Sequence, residues 1–176
     1  MLIIICGMIQ SAIILPQKNL SISIYQLQST WQIHALLLIS LICGPKIGTI
    51  SSLSYLIIGI FYLPVFHGGG SVGYILTPEF GYLIGFIPAS FTCGLLANDR
   101  SKANLINFTL YTLFSLLIIH FIGIIYLIIG SLFGTWGQNI IDLILTNSII
   151  PLPSQVLMCF SISLLSIILR RILFIK

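Results

Sequence analysis

Long apolar runs, separated only by glycine, proline or isolated charges, are the feature that most restricts what this sequence can fold into. The chain of 176 residues is 58% hydrophobic and only 6% charged, against about 25% charged residues in an ordinary soluble domain. A helix crosses a bilayer core about 30 Å thick with roughly 20 apolar residues, which leaves room for about six crossings. The sequence therefore predicts an all-α polytopic membrane protein, with residues 1–176 forming a single membrane-embedded domain.

Six apolar runs are predicted to be the membrane helices. They cover residues 2–15, 30–43, 47–63, 80–97, 105–133 and 154–174. The first two are short for a crossing, so their flanking residues are expected at the membrane interface or against protein. No internal repeat is visible, and one small helical domain is the simplest architecture.

The basic residues are distributed unevenly between the connecting segments. Lys18 alone follows the first run. Lys46 follows the second run, Arg100 and Lys102 follow the fourth, and Arg170, Arg171 and Lys176 lie at or beyond the end of the sixth. Those three connections share one face of a six-helix protein, and the positive-inside rule makes that face cytoplasmic. Both termini are then predicted to be cytoplasmic.

The outer face receives the longer connections, residues 17–29, 64–79 and 134–153. Such a protein presents a lidded cavity to the outside, which suits capture of an external solute. The sequence contains neither a P-loop pattern nor a charged pair in mid-span that could couple to an ion gradient. A partner is therefore expected to drive any transport.

Several classes of function are disfavoured by composition. The four cysteines lie far apart in apolar runs, without the close pairing that a zinc or redox site requires, so neither a metal nor a cofactor is predicted. The Lys and Arg residues are spread singly or in pairs and form no nucleic-acid patch.

The segment between the third and fourth runs has the least generic composition. It contains Gly68, Gly69, Gly70 and Gly73, followed by Tyr74 and Glu79. The glycines allow the backbone to approach a ligand closely, although a mobile tight turn explains them equally well. The tyrosine and the acid favour a ligand contact.

The same glycine segment matches two esterase motifs. Residues 67–70 read HGGG and residues 69–73 fit G-x-S-x-G, but the two overlap, which the hydrolase fold does not permit. Asp142 is followed by no histidine, so the ordered triad is incomplete. Hydrolysis through Ser71 is disfavoured, and no catalytic residue is predicted.

Five further polar or aromatic residues are candidates for ligand contact. Glu79 either complements the N-terminus of the following helix or accepts hydrogen bonds from N–H groups of a solute. Trp31 is either an interfacial anchor or, with Gln32, a surface for a flat polar heterocycle. Tyr82 and Gln155 are expected at the same membrane depth, where the Gln155 amide offers a donor and an acceptor.

Small residues suggest where helices pack. Gly81 and Gly85 are spaced to allow close approach of another helix, and Gly7 with Ser11 repeats that spacing on the first run, where it suits docking against a partner. His120 lies in mid-span and is predicted mainly to hydrogen-bond a neighbouring helix.

Taken together, these motifs resemble the BioY family. The similarity is carried by Thr30-Trp-Gln32, Gly44-Pro-Lys-Ile-Gly48, Leu63-Pro-Val-Phe66 with the glycines, and Pro78 followed by Gly81-Tyr-Leu-Ile-Gly-Phe86. It is strongest from Thr30 to Leu96 and collinear over nearly the whole chain. BioY proteins are the biotin-binding S components of energy-coupling factor (ECF) transporters.

The resemblance implies biotin capture from outside and import powered by a transmembrane coupling protein with two ATPase subunits. Tyr82 and the Pro78-Glu79 region would line the ureido and thiophene end of biotin, and loop residues from Gly70 to Tyr74 would close over it. Gly7 and Ser11 stand where S components contact the coupling protein. The expected location is a bacterial cytoplasmic membrane, or the inner membrane of a bacterium-derived organelle such as a plastid.

The last helix departs from the family pattern. Many members read P-G-D-x-x-K where this chain reads Pro153-Ser-Gln-Val-Leu-Met158, so Gln155 replaces an aspartate and Met158 replaces a lysine. Loss of both leaves neither ion unpaired, and biotin stays the favoured ligand. The alternatives are an S component for another vitamin or metabolite, and a membrane subunit without a transport role.

Overall fold

The fold is an all-α bundle with one β-hairpin near its start. The computed structural model describes residues 1–16, 22–66, 70–98, 104–137 and 139–173, with the backbone alone for residues 10–16 and 22–28. The sequence predictions that used Lys18, His67, Gly68, Gly69, Arg100, Lys102 and Lys176 concern residues outside these ranges.

Within the described ranges, six α-helices and two strands follow one another. The elements are α1 (Leu2–Gly7), β1 (Gln10–Pro16), β2 (Ile22–Thr30), α2 (Gln32–Phe61), α3 (Phe80–Ala97), α4 (Leu105–Leu132), α5 (Ile140–Ile144) and α6 (Leu152–Ile172). A 3₁₀ helix, Val72–Leu76, precedes α3, and a π-helical turn, Leu145–Ile149, joins α5 to α6.

The prediction of a helix over residues 2–15 is wrong beyond Gly7. Strands β1 and β2 pair in antiparallel register, with Ile13 opposite Tyr25 and Pro16 opposite Ile22. The β-branched isoleucines of β1 favour an extended chain, and the pairing satisfies backbone groups that a single short strand would leave unbonded. Residues 2–15 therefore do not form a membrane-spanning helix.

Helix α2 contains the second and third predicted runs, joined at Gly44. Gly44 has φ of 81°, which favours glycine, and Pro45 follows it. A Cβ on Gly48 would lie 3.1 Å from Ser40 Cα, whereas residues eight apart in a straight helix are separated by about 12 Å. The two helical segments thus fold back on each other, and both runs are confirmed as helical.

The membrane class is confirmed. Among the residues that the structure describes, four helical stretches are long and apolar enough to cross a bilayer: Gln32–Phe61, Phe80–Ala97, Leu105–Leu132 and Ile140–Ile172. Many of their large apolar side chains are exposed, as expected for surfaces that face lipid. The chain is an integral membrane protein.

Helices α3 and α4 pack through glycines on both sides. A Cβ on Gly85 would lie 3.0 Å from Ile119 Cα, and a Cβ on Gly81 would overlap the Tyr126 side chain. In return, the Tyr82 ring covers Gly123. The predicted close approach at Gly81 and Gly85 is therefore confirmed, and it brings α4 against the first turns of α3.

The basic residues that the structure describes lie at the end of the bundle where α3 finishes. Arg170 donates from Nη1 to the Ala97 carbonyl at 3.0 Å, and its guanidinium lies 5.2 Å from the centroid of the Phe108 ring. The turn at Gly44 packs against Gly94, which places the neighbouring Lys46 at the same end. Helix α3 is 18 residues long, or about 27 Å, so its start lies far from this basic end.

Candidate functional site

A cavity of about 150 Å³ lies at the end of the bundle opposite the basic residues. Helices α2, α3 and α6 begin at this cavity, the 3₁₀ helix lies beside it, and α4 passes along it. Its lining consists of Thr30, Gln32, Ile33, Tyr74, Glu79, Tyr82, Leu83, Phe86, His120, Asn147 and Gln155. The cavity combines an aromatic and aliphatic wall with amide, imidazole and carboxylate groups.

Glu79 and Tyr74 form a hydrogen-bonded pair at the start of α3. The Tyr74 hydroxyl donates to Glu79 Oε2 at 2.6 Å. Burial, and secondarily this bond to Glu79, raise the pKa of the Tyr74 phenol, so it stays a donor. Glu79 makes no side-chain capping bond to α3. Its second carboxylate oxygen can therefore accept a hydrogen bond from another group in the cavity.

Gln155 is held by two histidines from different helices. His34 Nε2 donates to the Gln155 backbone carbonyl at 3.0 Å, and His120 Nε2 donates to Gln155 Oε1 at 2.7 Å. His34 is fully buried and His120 is 5% exposed. These bonds join the beginning of α6 to α2 and α4, which fixes both the backbone and the side chain of Gln155.

An aromatic wall completes the cavity. The Tyr82 hydroxyl and Ser148 Oγ are 2.6 Å apart, and the Tyr82 ring meets the edge of His120 with centroids 5.8 Å apart. Phe86, one turn further along α3, is 2% exposed. The resulting surface is flat, apolar and rigid, as a ring-shaped ligand requires.

Two polar atoms at the cavity have no partner among the described residues. They are Gln32 Nε2 and His120 Nδ1, both buried. Gly7 backs onto the Gln32 carboxamide, since a Cβ there would lie 3.5 Å from Gln32 Oε1. Leaving a buried donor unpaired costs about 1–3 kcal/mol. A ligand with a suitably placed acceptor would remove that cost.

The structure brings together five of the seven predicted ligand contacts. Gln32, Tyr74, Glu79, Tyr82 and Gln155 line the same cavity although they are spread over more than a hundred residues of sequence. Trp31 and Gly70 do not line it. Trp31 packs against His34 with centroids 6.4 Å apart, and Gly70 lies against the backbone of residues 59 and 64.

The spacing argument for partner contact at Gly7 and Ser11 is wrong in its helical premise. Helix α1 ends at Gly7 and Ser11 belongs to β1, so the two residues do not form an i, i+4 pair on one helix. The isoleucine-rich segment that contains Ser11 is extended instead. Contact of either residue with a partner stays a prediction.

Met158 is not among the residues that line the cavity. Its sulfur receives a hydrogen bond from Ser29 Oγ at 3.6 Å, and Ser154 Oγ donates to the same Ser29 hydroxyl at 2.9 Å. These contacts anchor the end of β2 to α6. The methionine at this position therefore fills a neutral packing site beneath the hairpin, and no ion is needed to balance it.

Sequence reasoning missed several lining residues. Ile33, Leu83 and Phe86 resemble any lipid-facing or core residue, and Asn147 carries no pattern of its own. Thr30 begins the Thr30-Trp-Gln32 motif but was not predicted to line the cavity. His120 was predicted to bond a neighbouring helix, which is confirmed. The position of this polar side chain in the middle of a predicted membrane span was the sequence feature that could have indicated that His120 also lines the cavity.

The described residues contain no group of three or more His, Cys, Asp or Glu side chains that could hold a metal. Ser71 is exposed, and its Oγ accepts from the backbone N–H of Gly73 at 3.3 Å. That bond makes Ser71 the cap of the 3₁₀ helix.

Comparisons with known proteins identify similar chains. The model of the BioY family matches residues 1–174. An uncharacterized 21.2 kDa protein of the psbX-ycf33 intergenic region of Cyanophora paradoxa is 34% identical over 144 residues, covering 82% of this chain and 74% of that protein. A probable biotin transporter BioY of Pyrococcus horikoshii is 38% identical over 110 residues, covering 62% of this chain and 64% of the transporter. The match therefore spans just under two thirds of that transporter.

One solved structure has the same fold. The crystal structure of an S-component for biotin from an ECF-type ABC transporter superposes with a TM-score of 0.72 at 22% sequence identity. The match covers 96% of this chain and 85% of that one.

Proposed function

The chain belongs to the BioY family, and from this premise we propose that it captures biotin outside the membrane as the substrate-binding S component of an ECF-type importer. The observation that carries the proposal is the convergence of Gln32, Tyr74, Glu79, Tyr82 and Gln155 on one cavity. The similar proteins named as biotin transporters, and the matching S-component fold, support the choice of ligand.

The chemistry of the cavity suits the bicyclic head of biotin. Glu79 has a carboxylate oxygen available for ureido N–H groups, and Tyr74 holds the carboxylate in place. Tyr82 and Phe86 offer flat apolar surface to the thiophene-derived ring. The buried Gln32 Nε2 is a donor without a partner among the described residues and requires an acceptor, and biotin has oxygen acceptors at both ends.

Capture from outside follows from where the charges lie. Lys46 and Arg170 mark one end of the bundle, and the cavity lies at the other. The positive-inside rule makes the basic end cytoplasmic, so the cavity opens to the outer side. The Gly70 to Tyr74 segment, which includes the 3₁₀ helix beside the cavity, would close over the ligand.

Transport requires partners that supply energy. We assign this role to an ECF transmembrane coupling protein with two ATPase subunits, which Gly7 and Ser11 of the first segment would contact. The host membrane is a bacterial cytoplasmic membrane or the inner membrane of a bacterium-derived organelle such as a plastid, and the Cyanophora paradoxa relative supports the second choice.

A second candidate is capture of another vitamin or metabolite by the same cavity. It is favoured by Gln155, a neutral amide where many BioY proteins have an aspartate, beside Met158 in place of a lysine. A modified biotin, such as an amide, would fit a cavity without these two charges.

Direct binding tests the proposal. Purified protein is incubated with radiolabelled biotin at micromolar concentration, beside Tyr82→Ala and Gln155→Ala variants that remove cavity contacts. Ser161→Ala, on the exposed face of α6, is the matched control. We expect retention by the wild type and by the control but not by the two cavity variants. A wild type that retains no more biotin than the cavity variants would refute biotin capture, and a shift with another vitamin in a thermal panel would identify the second candidate.

Orientation is tested separately by cysteine labelling in a background without native cysteines. Ser71→Cys and Arg100→Cys should react with membrane-impermeant reagent from opposite sides of the bilayer. Labelling of both from one side would contradict capture from outside.

A further inference from the structure

The direction of the Gln155 carboxamide is set by His120. Gln155 Oε1 accepts from His120 Nε2 at 2.7 Å, so the amide oxygen is turned to α4. The amide nitrogen is the other branch of the same planar group and faces away from His120. Because Gln155 lines the cavity, that branch offers N–H donors to whatever occupies it.

A second amide nitrogen lies at the same cavity. Gln32 Nε2 is buried and has no hydrogen-bond partner among the described residues. Its oxygen lies on the side of Gly7, because a Cβ there would be 3.5 Å from Gln32 Oε1. In both carboxamides the oxygen is therefore directed to other parts of the protein, to Gly7 or to His120, which leaves the nitrogen branch to interact with a ligand.

We propose that His120 is a positioning residue that turns the Gln155 amide nitrogen into the cavity, so that Gln155 and Gln32 together select a ligand by an oxygen acceptor. This inference rests on the proposed function and deepens it. Glu79 takes the N–H donors of the ligand, and the two amide nitrogens take an acceptor. In biotin the acceptor is either the ureido carbonyl oxygen or the carboxylate of the side chain.

A neutral histidine suits this role. With its proton on Nε2 it donates to Gln155, and Nδ1 then carries a lone pair that none of the described residues reaches. Without the histidine, the carboxamide could rotate and present either branch, since the two are nearly equal in size. Selectivity for an acceptor over a donor would then disappear, even if the cavity kept its shape.

The first test compares biotin with the analogue in which a protonated imino nitrogen replaces the ureido oxygen, so that a donor stands where the acceptor was. The variants are His120→Leu, which removes the bond, and His120→Gln, whose amide nitrogen keeps a donor near the position of Nε2. We expect the wild type and His120→Gln to prefer biotin by at least about tenfold, and His120→Leu to bind the two within about threefold. Equal weakening of biotin, the imino analogue and biotin methyl ester in His120→Leu would show a purely structural role and overturn the proposal.

The second test is Gln155→Glu, which replaces the nitrogen branch with oxygen at almost constant shape. Biotin affinity should fall by at least about tenfold, whereas the imino analogue should bind as well as before or better. Unchanged biotin binding by Gln155→Glu would mean that the nitrogen branch makes no contact, which also overturns the proposal.

Biotin methyl ester distinguishes the two sources of the acceptor. If the carboxylate is the acceptor, the ester should bind the wild type at least about tenfold more weakly than biotin, and the His120→Leu variant should reduce that difference. If the ureido oxygen is the acceptor, the ester should bind like biotin. Failure of the wild type to bind biotin at all refutes the proposed function, whereas wild-type binding with unaltered selectivity in both variants refutes this inference alone.

Discussion

Replacement of Gly123 by alanine offers the sharpest test of the aromatic wall. Gly123 lies on α4 directly beneath the Tyr82 ring, and a Cβ built on it would be 2.6 Å from Tyr82 Cγ. Since 3.4 Å is the lower limit of ordinary contact, the ring must move by at least about 0.8 Å. The Tyr82 hydroxyl is bonded to Ser148 at 2.6 Å, so displacement of the ring strains or breaks that bond.

The expected loss of stability in Gly123→Ala is the sum of two destabilising contributions and one stabilising contribution. Overpacking typically destabilises by about 1–3 kcal/mol, and loss of the hydrogen bond adds about 1 kcal/mol. Exchange of glycine for alanine inside a helix offsets about 1 kcal/mol. We therefore expect a net loss of about 1–3 kcal/mol, which lowers the unfolding midpoint by roughly 2–12 °C in a chain of this size. Displacement of the cavity wall should weaken biotin binding about tenfold, or 1.4 kcal/mol.

Gly130→Ala is the matched control for overpacking. Gly130 lies on the same helix, and a Cβ there would overlap the Trp136 ring, which does not line the cavity. The two variants should therefore be destabilised similarly in thermal unfolding of the purified protein, while only Gly123→Ala loses affinity in equilibrium biotin binding. Normal biotin affinity in Gly123→Ala, or an equal loss in both variants, would contradict the assignment of Tyr82 to the binding wall.

Three further substitutions test separate parts of the structure. Tyr74→Phe removes the donor that holds Glu79 and should weaken biotin binding by roughly ten- to a hundredfold, because a hydrogen bond to a charged group contributes about 1.5–3 kcal/mol; unchanged affinity would exclude a role for the pair. Met158→Lys places a charge in a neutral buried site and should lower the free energy of unfolding by about 3–5 kcal/mol. Adding Gln155→Asp should recover part of that loss in thermal unfolding. An undiminished unfolding midpoint in the single variant would contradict the packing role of Met158. Arg170→Gln shortens the side chain that bonds the carbonyl at the end of α3 and should cost about 1 kcal/mol of stability without changing biotin affinity, whereas reduced affinity would couple the basic end to the cavity.

The helical content of this protein follows from local sequence. The apolar runs over residues 80–97, 105–133 and 154–174 are long and almost free of charge, and each forms a helix within two residues of the predicted ends. In a bilayer this outcome is dictated by the backbone, whose polar groups must be satisfied within the segment. Polarity likewise indicated Gln32, Glu79, Tyr82 and Gln155 as candidate contacts.

Tertiary structure decided the features that depend on distant partners. Residues 10–16 belong largely to an apolar run of the kind that forms helices elsewhere in this chain. Only pairing with residues 22–30 makes their extended form stable. A tertiary contact also decides which branch of the Gln155 amide faces the cavity, because His120 is 35 residues away in sequence. The replacement of a lysine by Met158 was expected to affect the site. Met158 instead bonds Ser29 and does not line the cavity.

By itself, the sequence determined that the chain enters a membrane, where its helices lie, and which polar residues need a partner there. These properties depend on hydrophobicity and on backbone hydrogen bonding, which act over one turn or one crossing. Tertiary structure alone decided that five dispersed side chains meet at one cavity, that a hairpin replaces the first helix, and that His120 binds the oxygen branch of the Gln155 amide. Those outcomes depend on contacts between helix starts that lie far apart along the chain, for which no local pattern exists.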